Sequence, residues 1–455
     1  MLSFDHREPI GSSTFPMPDL PFDEAAFRAP MSVREMRSPT ATIYVHIPFC
    51  DQICSFCGFN KMQSPENLKA DYVDALIKEI DAWSQLPWAR SLDVGAVYIG
   101  GGTPNALSAE QIYRVGDAIR TRFTLTADCE VTAEGTPQNF TPDRVDALLA
   151  AGVNRISTGI QTFNGDIRRE HLNMRNGRDE LLESIAVLRA NFDTFNLDMI
   201  YNLPGQTEAI WQDDLETAIA AGSTHLTHYP LVLLENTALY RDYIRKQAHP
   251  APAQEMEIRL FEHTAERMRA SRFTNQYSVR DWAEPGHACR YIELNARANH
   301  VLAFGAGAHG YVGGITYRTI GAPRRYVEAV ESGRMPLDAM RVATDTEIMQ
   351  RFMVMGLRLK SFDTRPFAAR FGRSVEDVYG DKIATLVESG FITFDDARIA
   401  FTTKGDIWAN NVRTYFEGTK NRAVGYTNTH GAGETGKDHY SSISRVKAAA
   451  DVEAR

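Results

Sequence analysis

Between residues 41 and 229 short apolar runs alternate with helical patterns, and this alternation restricts the chain to an α/β fold built on a parallel sheet. The runs are Ala41–Ile47, Val94–Ile99, Cys129–Glu134, Arg155–Ile160, Phe195–Tyr201 and Thr224–Tyr229. Their length and β-branched content suit strands better than helices. The stretches between them carry helical signals. Leu68, Tyr72, Leu76, Ile80 and Trp83 recur at helical spacing across 66–86. Ser108 with Gln111 makes a capping box that opens a helix to about Phe123. Thr141 followed by Pro142 reads as an N-cap and first helical residue, and Gly152 stops that helix. Further helices are expected over 181–192 and 208–221. Consecutive βαβ units cross over right-handedly, so the six runs belong to one sheet. The pattern alone leaves open a closed eight-unit barrel, a partial barrel or a flat doubly wound sheet. In each, functional residues collect at the C-terminal ends of the strands.

Outside this region the pattern changes. Residues 1–40, rich in Pro, Ser and acidic side chains, read as an extended lead-in on the domain surface. Residues 41–340 hold the sheet and its continuation. Over 341–416 three helical stretches precede a hairpin, Gly390–Phe394 and Arg398–Thr402, an order like that of a winged helix. From 417 to 455 clusters of Gly, Asn, Thr and Ser read as a flexible polar tail. A formal charge of −9 over 455 residues argues against a general nucleic-acid binder, which needs a basic surface. No run of about 18 apolar residues exists, so no membrane-spanning helix is expected. The first residues lack a basic segment followed by an apolar one, so no secretory leader is expected. A cytoplasmic protein follows.

The chain has five cysteines, three of them in the loop after the first run: Ile47-Pro-Phe-Cys50-Asp-Gln-Ile-Cys54-Ser-Phe-Cys57-Gly. Three thiolates can hold three irons of a [4Fe–4S] cubane and leave the fourth open to a chelating ligand. Zinc is the alternative, but structural zinc sites take four protein ligands, often in paired C-x2-C units. No second pair lies nearby, and His46 falls inside the strand pattern. Cys129 sits on a strand and reads as a small apolar residue; Cys289 lies in a loop-like stretch. His225 and His228 have a spacing that puts them on opposite faces of a strand, which excludes a two-His metal pair.

The string Tyr44-x-His46-x-Pro-Phe-Cys50-x3-Cys54-x-Phe56-Cys57 resembles the radical S-adenosylmethionine (SAM) enzymes of the HemN-like group, which includes the oxygen-independent coproporphyrinogen dehydrogenases. Further matches follow in order: Gly100-Gly-Gly-Thr-Pro104, Glu134, Gly159-Ile-Gln161-Thr-Phe163, Asp198–Thr207 and Phe304–Gly310. The resemblance covers roughly residues 40 to 415. It implies a radical SAM βα barrel of TIM type, partial or full, with a C-terminal winged-helix-like helical domain. It implies a [4Fe–4S] cluster on Cys50, Cys54 and Cys57, one or two SAM molecules, and an electron donor such as flavodoxin or ferredoxin. Reductive cleavage of SAM then yields a 5′-deoxyadenosyl radical. By the same resemblance, Gly101, Gly102 and Thr103 let the backbone approach the methionyl part of SAM. Glu134 and Asp198 accept from ribose hydroxyls or the amino group, and Gln161 donates and accepts. Tyr44 and Phe56 pack against the cluster and adenine. The family's arginine after the Gln-x-Phe segment maps to Arg175, with Asn173 as the second choice.

The chain departs from the dehydrogenases. They continue the cluster motif as Cys-Gly-Cys, where this chain has Cys57-Gly58-Phe59, and their Tyr-Thr-Ser-Tyr-Pro segment is absent. Tyr277–Tyr291 is closer to the heme-chaperone and methyltransferase branches, and Leu302–Gly310 is similar to the heme-degrading methyltransferases. The resemblance therefore implies methyl or methylene transfer to a tetrapyrrole or natural product, with a second SAM. Oxidative decarboxylation of coproporphyrinogen and a cluster-containing heme chaperone without turnover are the alternatives. His287, Arg290, Tyr291 and His309 are candidates for the substrate pocket.

Overall fold

The computed structural model describes residues 2–8, 14–33, 40–63, 66–245 and 253–417. The tail expected from 417 onward lies outside the described residues from 418 to its end.

Seven strands run parallel: β1 (Thr40–Ile47), β2 (Asp93–Gly101), β3 (Thr124–Gly135), β4 (Arg155–Gln161), β5 (Thr194–Tyr201), β6 (His225–Pro230) and β7 (His300–Phe304). Their order across the sheet is β7-β1-β2-β3-β4-β5-β6. Antiparallel strands extend both sides: His309–Val312, Ile315–Thr319, Leu337–Val342 and Leu20–Pro21 beyond β7, and Asp281–Ala283 and Asn275–Gln276 beyond β6. The two outermost strands do not pair with each other, so this 13-stranded sheet is an open, partial barrel. The connecting helices α1 (Glu66–Ser84), α2 (Ala109–Arg122), α3 (Pro142–Ala150), α5 (Arg178–Asn191) and α6 (Glu208–Ala220) bury their apolar sides with the strands in one continuous core, while α4 (Gly165–Glu170) packs Ile167 into a smaller cluster with Leu172, Ile200 and Leu203. No helix among the described residues is long and apolar enough to cross a membrane.

Local signals explain most element ends. The Ser108–Gln111 capping box forms as its sequence demands. Thr141 does not cap with its side chain; its hydroxyl donates to the Asp143 carboxylate instead. β3 begins at Thr124, five residues before the apolar run at Cys129. Its first residues are polar and partly exposed, and they pair with Asp93 and Val94 through a register shift, so no hydrophobic pattern marked them. The short helix α4 had no periodic signal either; Asn164 creates it by accepting from the Asp166 and Ile167 amides.

The C-terminal helices form a second core around Phe352, Phe362, Phe367 and Phe391. The expected hairpin is present as Ile392–Asp395 and Arg398–Phe401, and Ser361–Asp363 adds a third strand too short to show alternation. The N-terminal extension is no surface lead-in. Phe15 is fully buried in the second core, and Phe27 is fully buried against Trp83 and Tyr317 in the first. The Leu2 amide donates to Ser389 Oγ at 2.7 Å and the Glu8 amide to Asn411 Oδ1 at 2.9 Å.

One buried carboxyl makes the fold pH-sensitive. Glu79 on α1 accepts from the Gly305 amide (2.9 Å) and the Tyr326 hydroxyl (2.5 Å), and its Oε1 has no partner among the described residues. Burial pushes its pKa from 4.5 up to about 7, with the two hydrogen bonds opposing. A raised folded-state pKa means that the group's contribution is intact below pH 4.5 and lost as pH rises through 7. The full loss is on the order of 3 kcal/mol. Glu79→Gln keeps the acceptor without the charge. Thermal melts are expected to show it level with wild type at pH 5 and more stable at pH 8.5; equal melting at both would remove Glu79 as the cause.

Candidate active site

The cysteine loop leaves the C-terminal end of β1 and is tied down on every side. The Cys50 amide donates to Met62 O (2.9 Å) and the Met62 amide to Pro48 O (2.7 Å), a short bridge that returns the loop on itself. Around Cys54, the Ser55 amide donates to Leu172 O (3.1 Å) and the Ser55 hydroxyl to His171 O. Asn173 Nδ2 donates to Ile53 O at 2.8 Å, and its Oδ1 accepts from Gln52 Nε2 at 3.3 Å. Lys61 Nζ donates to Cys57 O at 2.6 Å. Thr103 Oγ1 donates toward Cys50 Sγ at 3.4 Å, so Thr103 serves a cysteine directly.

The glycines after β2 fit the loop to the sheet. Gly101 has φ +115°, and a Cβ there would lie 2.7 Å from the His46 ring. A Cβ on Gly102 would meet the backbone of Ile47, Pro48 and Phe49 at 2.8–3.0 Å. Both faces that a side chain would take are filled by protein, so the glycines let the strand end and the cysteine loop touch.

Next to this contact stand the ends of β3, β4, β5 and β6. Glu134 accepts from the Tyr98 hydroxyl (2.8 Å) and the Gly101 amide (3.0 Å), and burial raises its pKa. Asp198 accepts from Asn196 Nδ2 (2.9 Å) and Ser157 Oγ (3.2 Å); burial and the Glu134 charge push it up to about 7. Gln161, at φ +68°, accepts from the Tyr229 hydroxyl at 3.2 Å. Tyr229 feels Asp198, Cys57 and Glu134 together, which places it among all of them. Sequence reading passed over it, although it sits at a strand end like the others. Tyr44 donates to His46 Nδ1 (3.1 Å), while Phe56 packs with Ile167, Leu172 and Leu203.

Other candidates are dispersed. Arg175 is exposed and nothing among the described residues ties it to the cysteines; Arg168 is the arginine whose charge a Cys54 thiolate would favour. His287 bonds to Thr194 Oγ1 (2.7 Å) at the start of β5, the opposite rim. Arg290 is also drawn away, donating to Gly95 O (3.0 Å) and pairing with Asp128 (2.9 Å). Tyr291 stays near the site with its ring 4.9 Å from Tyr98, and His309 lies near His46 and Arg318, half-buried and held neutral by desolvation with a pKa of about 3. Cys289 is buried against Glu130, and Cys129 is half-buried. His225 bonds to Asn196 and Tyr277, whereas His228 lies between the Tyr201 and Phe261 rings, so the two do not share a site.

The cysteines suit a cluster better than one ion. All three are free thiols whose pKa burial raises, to about 12 for Cys50 and Cys54. They stay protonated unless a metal takes the proton's place. Among the described residues no group of His, Cys, Asp or Glu converges tightly enough for a single ion. In a cubane each thiolate holds a different iron, so such convergence is not required. His46 is no fourth ligand: its Nε2 donates to Asn60 O (2.8 Å) and its Nδ1 accepts from Tyr44. A cavity of about 190 Å³ opens between Tyr201 and Pro230 at the ends of β5 and β6 and the C-terminal domain, where Tyr201 packs on Trp211. Arg7, Arg280, Arg358 and Arg413 line it against Asp281 and Asp406, which leaves a positive wall.

Comparison with known proteins fits this geometry. Residues 44–218 match the radical SAM superfamily model, and residues 343–407 match the HemN C-terminal domain model. The anaerobilin synthase of Escherichia coli O157:H7 is 30% identical over 396 residues, covering 83% of this chain and 85% of that one. The heme chaperone HemW of Bacillus subtilis is 28% identical over 377 residues, 82% of this chain and 98% of that one. The structure of E. coli coproporphyrinogen III oxidase (HemN) superposes with a TM-score of 0.77 at 23% identity, covering 89% of this chain and 96% of that one.

Proposed function

This chain belongs to the radical SAM superfamily and carries a HemN-type C-terminal domain, and on that premise we propose that it holds a [4Fe–4S] cluster on Cys50, Cys54 and Cys57 and transfers a methyl or methylene group from SAM to a tetrapyrrole. The observation that carries the reading is the shared rim: the cysteine loop, Glu134, Gln161, Asp198 and Tyr229 all gather at the C-terminal ends of the parallel strands. When bound, the cluster supplies the electron that opens SAM.

The chain's own groups do the positioning. A carboxylate has about four acceptor sites. Glu134 uses two on Tyr98 and Gly101, and Asp198 uses two on Asn196 and Ser157. Each keeps capacity for ribose hydroxyls or an ammonium group. Gln161 Oε1 takes the Tyr229 proton, which leaves its amide N–H groups to donate. A tetrapyrrole is supported by the relatives named for heme and for a bilin, and by the arginine-lined cavity, which suits carboxylate groups at a substrate edge. Phe59, 53% exposed, stands where the dehydrogenases have a further cysteine, which counts against oxidative decarboxylation.

A second reading, a heme chaperone, is favoured by relatives such as the B. subtilis protein, matched over 98% of its length. Anaerobic incubation of the reconstituted protein with reductant, SAM and heme separates the two. Methyl transfer predicts S-adenosylhomocysteine, 5′-deoxyadenosine and a tetrapyrrole of altered mass. Bound heme with neither SAM product would replace the proposal with the chaperone. Carbon dioxide and deoxyadenosine from coproporphyrinogen, without S-adenosylhomocysteine, would replace it with the dehydrogenase.

A further inference from the structure

Two cations are buried near the cysteines, and among the described residues neither forms an ion pair with a carboxylate. Arg168 on α4 is fully buried, and Lys61 is 2% exposed. Arg168 donates from Nε to Asn176 O (2.9 Å) and from Nη1 to Ile160 O and Thr162 O (3.2 Å). Lys61 donates to Cys57 O (2.6 Å) and Phe59 O (3.4 Å) and also reaches the Cys57 side chain. These oxygens are all neutral carbonyls. Arg168 Nη2 is buried with no partner among the described residues.

Buried charges are ordinarily paired, because an uncompensated one is costly. The nearest acid does not answer for Arg168: Asp214 already takes Thr162 Oγ1 (2.7 Å), the Phe163 amide (2.6 Å) and Gln206 Nε2 (3.2 Å). Once formed, a Cys54 thiolate favours the Arg168 charge more than either acid nearby does. Helix α4 also leads into residues 171–173, the stretch that clamps Ile53 and Ser55 on either side of Cys54. An anion is therefore missing where the three thiolates would sit.

We propose that Lys61 and Arg168 are built-in counter-charges of the iron–sulfur centre, Lys61 donating to the Cys57 sulfur and Arg168 Nη2 to the Cys54 sulfur, so that together they raise its reduction potential. This rests on the cluster reading above. One-electron reduction adds negative charge to a buried site, so a fixed cation favours the reduced form. Hydrogen bonds to the ligand sulfurs act in the same direction. Lys61 and Arg168 act through the cysteines and are positioning residues.

The test is an EPR-monitored redox titration of the reconstituted full-length protein without SAM. Arg168→Gln and Lys61→Met are each expected to shift the reduction equilibrium about tenfold toward the oxidised form, about 59 mV for one electron. The double variant is expected to shift further, and Arg168→Lys to recover most of the arginine effect. Potentials unchanged in both neutral variants would overturn the proposal, as would Arg168→Lys matching Arg168→Gln. Should a neutral variant fail to load iron, wild-type protein carrying 15N-arginine decides. Pulsed EPR of its reduced cluster is expected to show a guanidinium nitrogen coupling, and none would overturn the role of Arg168. A wild-type chain that binds no cluster would instead sink the functional reading itself.

Discussion

Changing Cys50, Cys54 and Cys57 together to alanine is expected to bring the iron content of the anaerobically reconstituted protein from about four per chain to near zero. Deoxyadenosine formation should fall to background with it. The fold should survive. The loop is held by Met62, Leu172 and Asn173 rather than by its thiols, and Cys54 and Cys57 are only half-buried. The melting curve of the cluster-free wild type is therefore the right reference. Iron analysis, the visible absorption band and product quantification read the result. A triple variant that still binds four irons and sulfide would place the cluster elsewhere. Loss of iron together with unfolding would show the thiols to be structural.

The second large effect belongs to a residue with no functional group. Gly102→Ala adds one methyl, and every atom that it meets within 3.0 Å is backbone: Phe49 O, Pro48 C and Ile47 O. Backbone cannot rotate aside as a side chain can. The Gly102 amide also donates to Ile47 O at 2.8 Å, so the strand end cannot back away without losing that bond. Overpacking of this kind costs about 1–3 kcal/mol. Here the cost falls on the geometry of the loop that presents Cys50. Iron loading under limiting iron is expected to drop about tenfold or more, which corresponds to roughly 1.4 kcal/mol, while secondary structure by circular dichroism stays unchanged. Gly380→Ala is the control, since it lies in a helix with open space around its Cβ position. Equal loading in both variants would mean that the loop has freedom that the contact denies.

Much of the scaffold was legible because its signals are local. The six apolar runs, the Ser108 capping box and the cysteine spacing each depend on neighbours in sequence. Sheet closure was not, since it depends on whether two distant edges meet, and they do not. At the site, the strand-end residues Glu134, Gln161 and Asp198 were legible from their order. Lys61, Arg168 and Tyr229 were not, because what they face depends on tertiary packing: Lys61 on the turn of the cysteine loop, Arg168 on the docking of α4 and Tyr229 on the neighbouring strand ends. The glycines were read as room for a ligand, and the structure gives that room to His46 and the cysteine loop. Arg290 and His287 were misplaced for a traceable reason. Glu130 grips the amides of Arg290 and Tyr291 at 2.9 and 3.2 Å, and this anchors the start of their helix, Arg290–Ala296, inside the barrel. The Arg290 side chain then turns toward Asp128 and Gly95, away from the cysteines.

The N-terminal clamp sets an order of events during synthesis. Leu2, Glu8 and Phe15 leave the ribosome before the barrel, yet their partners Ser389, Asn411 and the second core follow it in the chain. The barrel strands can assemble while the chain is growing, because each βα unit docks on the one before it. The clamp must wait for the barrel and the C-terminal domain, and closing it spans some of the longest sequence separations among the described residues. Until then Arg7 cannot reach Ile407, and the arginine-lined cavity lacks two of its walls. A ribosome-bound intermediate can therefore have a formed cysteine loop while that cavity is still open.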